Sequence, residues 1–160
     1  EGGDTEPFQA LAAQLKDEYG GSSYARFGAM LEARIAVEAG DLAAAESALR
    51  WALSAGDTRS DIGQLIQLRL ARVLAAQGKE PEALAILAQG SVAYPVAYAQ
   101  AEGDIHLAAG RTDEALTAYR DGRDLAAELG QYSAVLDNKV RTLETRLPAS
   151  PGTVTPEDAS

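Results

Sequence analysis

EARIAVEAGDLAAAESALRWAL (residues 32–53), RLARVLAAQGKEPEALAILAQG (69–90) and EGDIHLAAGRTDEALTAYRDG (102–122) superpose on their glycines, Gly40, Gly78 and Gly110. The intervals are 38 and 32 residues. Five residues after each glycine stands an alanine (Ala45, Ala83, Ala115), and nine after it a large apolar side chain (Leu49, Leu87, Tyr119). Seven before it stands a small residue (Ala33, Ala71, Gly103). Small residues at matched places let two antiparallel helices approach closely, and the large one plugs into the next unit. Glycine permits the tight left-handed turn between them. Each unit reads as a helical hairpin that stacks on its neighbour.

The flanking sequence continues the helical period. Leu42, Ala45, Leu49, Ala52 and Leu53 form an apolar stripe behind Asp41, a good N-cap. Ile62, Ile66, Leu70, Val73 and Leu74 form another, opened by Ser60 or Asp61. Pro81 fits the first turn of one helix, and Thr112 reads as the cap of a later one. Tyr132, Leu136, Val140, Leu143 and Leu147 predict a last helix stopping at Pro148, and a first helix is predicted over 5–19, ending at Gly20-Gly21. Alanine supplies 33 of 160 residues and valine with isoleucine only 12, a bias toward helix formers and away from strand residues. The expected fold is all-α, a right-handed stack of antiparallel helical hairpins with about eight helices. One repeat domain spans 1–147, with repeats at roughly 24–57, 61–94 and 95–128 and flanking helices at 5–19 and 131–147. The run from 148 to 160, rich in proline and small polar residues, is expected to be a flexible tail.

The spacing resembles the tetratricopeptide repeat: a small residue early in the first helix, glycine at the turn, alanine and then an aromatic in the second helix, and proline at the repeat end. Gly103, Ala115 and Tyr119 carry the best match, and Pro95 follows the second repeat at the right distance. A narrower resemblance runs from residue 24 to about 123, carried by Tyr24-Ala25, LEARIAVEAGDLAAAESAL (31–49), LRLARV (68–73) and Gly103-Asp104 ahead of Gly110. In order and spacing these are similar to the periplasmic domain of the ancillary subunit of the bacterial SecYEG translocon. That family has one membrane span and a periplasmic repeat domain, and it associates with the translocon and a membrane-bound periplasmic chaperone. The resemblance therefore implies a soluble domain on the periplasmic side of the inner membrane, held there by a span outside these residues.

First helices of stacked hairpins line one face, so equivalent positions form a column open to a partner. Six residues before the glycines lie Arg34, Arg72 and Asp104; ten before, Met30, Leu68 and Gln100; thirteen before, Phe27, Leu65 and Ala97. Phe27, Met30, Arg34, Leu68, Arg72, Gln100 and Asp104 are the candidate partner-binding residues. The arginines could grip a partner's carboxylates beside apolar anchors. Equally, they could pair with internal acids such as Glu38 or Asp104, with Phe27 and Met30 in the core.

Catalysis finds little to work with. Cysteine is absent and His106 is the single histidine, so thiolate and histidine-cluster metal sites are excluded. His106 falls in the column of Ala36 and Leu74, where it reads as packing material. No nucleophile elbow, phosphate loop or metalloprotease motif occurs. A net charge of −10 disfavours nucleic acid. A non-enzymatic scaffold with protein partners and no cofactor or metal is expected, the alternative being a small-molecule sensor or enzyme domain with a site between helices. Self-association through an uncapped end of the stack is a further possibility.

Overall fold

The computed structural model describes residues 22–146 together with Pro7, Ala10, Leu11, Ala13, Gln14 and Glu18. Among the described residues there are seven α-helices and no strand: α1 (Ser23–Glu38), α2 (Leu42–Ser54), α3 (Asp61–Ala76), α4 (Glu80–Leu87), α5 (Pro95–Ala108), α6 (Thr112–Glu128) and α7 (Ala134–Glu144). The six isolated residues are also helical. The rest of the helix expected over 5–19, and the tail expected from 148, lie outside the described residues.

Turn chemistry sets the hairpins. Gly40, Gly78 and Gly110 stand at φ 78°, 77° and 76°, which side chains with a Cβ adopt only with strain. Past each one the next amide returns to the carbonyl five residues earlier: Asp41 to Ala36 at 2.8 Å, Lys79 to Leu74 at 2.9 Å and Arg111 to His106 at 2.9 Å. This is the closure that satisfies the orphan carbonyls of a helix end. Where a cap is available, the next helix starts at once: Asp41 accepts from the Ala44 amide at 2.9 Å, and Ser60 accepts from Gly63 at 3.1 Å. Thr112, expected as a cap, is instead the first residue of α6, and the cap position falls to Arg111, which makes no side-chain bond there.

Hairpins α1/α2, α3/α4 and α5/α6 stack through α2 on α3, α4 on α5 and α6 on α7. The aligned columns share one kind of environment: Ala45, Ala83 and Ala115 are each 0% exposed, and Leu49, Leu87 and Tyr119 are buried beside them. A methyl group added at Gly103 would lie 2.4 Å from the Tyr119 ring, so the smallest residue of its column faces the largest of the other.

Two polar inserts hold the irregular joints. Arg26, buried in α1, donates to the Ala52 carbonyl at 3.0 Å and the Asp57 carbonyl at 3.3 Å, tying α1 to the loop after α2. Buried Gln64 accepts from the Ser91 hydroxyl and from the amides of Val92 and Ala93, while its own amide donates to Arg59. First helices do not all meet: α3 packs directly on α5, whereas α1 and α3 do not come together in that way. The gap between them is where a site can exist. No helix among the described residues is long and apolar enough to cross a membrane.

Candidate functional site

Where α1 and α3 stand apart, α2 closes the floor and a groove of about 270 Å³ is left open. From α1 come Met30, Ala33, Arg34 and Val37; the floor is Leu42 and Leu49 of α2. From α3 come Arg69, Arg72, Val73 and Ala76. The spacing follows from helix geometry, since residues three and four apart share a face: 30, 33, 34 and 37 on one wall, 69, 72, 73 and 76 on the other. Apolar side chains therefore fill the inside, and the only charged groups are three guanidiniums.

Their own partners leave them largely uncommitted. Arg34 donates to Glu38 one turn on at 3.0 Å, an exposed pair of the kind that contributes at most about 1 kcal/mol. No described residue forms an ion pair with Arg69 or Arg72. Guanidiniums are planar forks suited to carboxylates, and beside an apolar wall such bonds are stronger than in open water. The arrangement can hold an apolar side chain and an anionic group together. Its lining offers no acid, imidazole or hydroxyl that could move a proton.

Of the seven residues singled out from sequence, Met30, Arg34 and Arg72 line this groove. Leu68, 4% exposed, is in the core, and Gln100 is half-buried on α5. Phe27 lies outside the groove, 51% exposed, in a stripe with Tyr24 and Leu31 along α1. Asp104 is bound within the fold: it accepts from the Tyr119 hydroxyl at 2.7 Å and from Lys139 at 2.7 Å. Arg69, Val37, Leu42 and Val73 were missed. Equivalent positions of successive first helices form a column, whereas a groove is made by one wall of a repeat and a different wall of the next. Pairing both walls in the glycine frame would have found Arg69.

Other titratable groups are tied into inter-repeat contacts. Glu46 accepts from Lys79 and Arg50, each at 2.7 Å, and these bonds hold its carboxyl down at about 2. Arg111 bonds Glu80 and donates to His106 Nδ1 at 3.0 Å, so that histidine nitrogen serves as an acceptor in the turn after α5. Burial pushes the Tyr98 phenol up to about 12 while it donates to the Gln64 carbonyl at 2.8 Å. Among the described residues no three His, Asp or Glu stand close enough to hold a metal ion.

Compared with known proteins, residues 1–145 match the family model of the tetratricopeptide repeat-like domain. No curated protein and no solved structure matches the chain.

Proposed function

Because the chain belongs to the tetratricopeptide repeat-like domain family, we propose that it is a non-enzymatic scaffold that binds other proteins through the groove between α1 and α3. The observation that carries this is the groove itself: an apolar trough rimmed by Arg34, Arg69 and Arg72, two of which pair with no described residue. Anchors of this kind, an apolar pocket beside guanidiniums that a partner would desolvate on docking, are where interface energy concentrates.

The narrower reading is the periplasmic domain of a membrane-anchored ancillary subunit of the SecYEG translocon, contacting the translocon and a membrane-bound periplasmic chaperone. Its support is the run Leu68-Arg69-Leu70-Ala71-Arg72-Val73, which resembles that family and supplies the α3 wall of the groove. On this reading the domain stands on the periplasmic side of the inner membrane.

Capture by purified SecYEG in detergent tests both levels. Arg72→Glu reverses a charge that is exposed and unpaired among the described residues, so helicity and melting temperature are expected to stay within the small range of surface substitutions. Capture should weaken by about tenfold or more. Equal capture by the variant contradicts the groove as the contact surface. No capture of the unmodified chain contradicts the translocon as partner.

A further inference from the structure

The groove between α1 and α3 has a twin, smaller because the chain's own side chains occupy more of it. Seventy residues on, the interval from Gly40 to Gly110, a cavity of about 180 Å³ is lined by Leu107 of α5, Tyr119 of α6, Lys139, Thr142 and Leu143 of α7, and Arg146 just past its end. In the glycine frame Leu107 stands where Val37 does, Tyr119 where Leu49 does, and Lys139 and Leu143 where Arg69 and Val73 do. The same inter-hairpin groove is therefore built twice, once over α2 and once over α6.

What differs is the source of the filling. At the second groove the chain supplies everything: the Tyr119 ring fills the floor, and Asp104 accepts from its hydroxyl and from Lys139, each at 2.7 Å. The Lys139 ammonium also lies 4.9 Å from the ring centroid. Aromatic body, carboxylate and cation form one closed set. At the first groove the floor is Leu49, shorter than a tyrosine, and the cavity is correspondingly larger. Where the twin has Asp104, the first groove has Arg34, opposite Arg69 rather than Lys139. The cations are present and the carboxylate is missing; the ring is missing too, and Ala33, standing where the twin has Gly103, takes the deepest part of its place and leaves the open part above Leu49.

We propose that the first groove takes a segment of a partner protein carrying an aromatic side chain with a carboxylate beside it, the two groups that Tyr119 and Asp104 supply at the twin. The ring enters over Leu49 and the carboxylate binds among Arg34, Arg69 and Arg72. The net charge of −10 opposes an acidic segment at long range, but that repulsion is screened beyond about 8 Å at physiological salt. At contact the guanidiniums dominate, and the Arg34 pair with Glu38 is exposed and gives way at little cost. This proposal rests on the scaffold reading and not on the translocon being the partner.

The test is fluorescence anisotropy with a fluorescein-labelled peptide, Gly-Asp-Glu-Leu-Tyr-Asp-Glu-amide, and two companions. In one every carboxylate becomes the corresponding amide; in the other alanine replaces tyrosine. The unmodified chain should bind the first peptide, and each companion should bind about tenfold more weakly or worse. Arg34→Asp installs the carboxylate of the twin opposite Arg69; it should abolish binding without lowering the melting temperature. Arg69→Ala removes the cation instead and should cause a similar loss, while Arg120→Ala, whose partner Glu144 lies on α7, should change nothing. No binding to the unmodified chain, equal binding of the amide peptide, or full binding by Arg34→Asp overturns the proposal. If the peptide fails while Arg72→Glu still weakens SecYEG capture, this occupant is wrong and the scaffold reading stands.

Discussion

A methyl group at Gly103 would meet the Tyr119 ring at 2.4 Å, so Gly103→Ala must displace either the ring or α5. Overpacking of that kind costs about 1–3 kcal/mol, and thermal unfolding should show a loss in that range. The first repeat makes the opposite choice at the same two positions, Ala33 with Leu49. Combining Gly103→Ala with Tyr119→Leu should therefore recover part of the steric loss, although Asp104 then loses its phenol. Glu46 is the second decisive residue. Its carboxyl is held near 2 by Lys79 first and Arg50 next, against an ordinary 4.5. A depressed folded-state value means stabilisation that is full above about 4.5 and is lost as the pH falls toward about 2. The melting-temperature gap between the unmodified chain and Glu46→Gln should accordingly be widest near neutrality and close across that acid window. A gap independent of pH would contradict the pairing.

The helices themselves were legible because apolar period and turn glycines agree with one another. Leu42 to Leu53 and Ile62 to Leu74 each show one face to the core, and Gly40, Gly78 and Gly110 take the left-handed turn that the alignment required. Gly130, at φ 67°, closes α6 in the same manner, with the Gln131 amide reaching Ala126 at 2.8 Å; it lay outside the three aligned segments. Helix starts were less legible, since Thr112 and Arg111 differ by one residue and no side-chain bond marks either. The joints were not legible at all. Nothing local distinguishes Gln64 from the exposed glutamines of such a chain, yet its side-chain oxygen gathers three donors from residues 91–93. Gln64→Leu leaves those donors without their acceptor and should cost about 1–3 kcal/mol. Hydrogen exchange should locate the loss at the amides of Val92 and Ala93; unchanged protection there would refute the role assigned to Gln64.

Across the whole molecule the same frame is used repeatedly with different side chains, and the differences decide which joints are open. The first groove contains three residues that sequence columns could find, Met30, Arg34 and Arg72, because they sit at fixed distances from a turn glycine. Asp104 occupies the same column as the two arginines but serves the fold, a distinction made by Tyr119 and Lys139, which come from two other helices. Column position is written in the sequence; which neighbour a side chain meets is set by how far apart the first helices stand. Met30 is the only methionine in the chain and lines the open groove, so a methyl-labelled methionine gives a single resonance from the place in question. Titrating the methyl-labelled protein with the tyrosine-containing acidic peptide should shift that resonance to saturation, and the Arg34→Asp protein should show no shift. Peptide binding that registers by anisotropy while the Met30 methyl stays fixed would put the contact elsewhere and contradict the groove as the docking site.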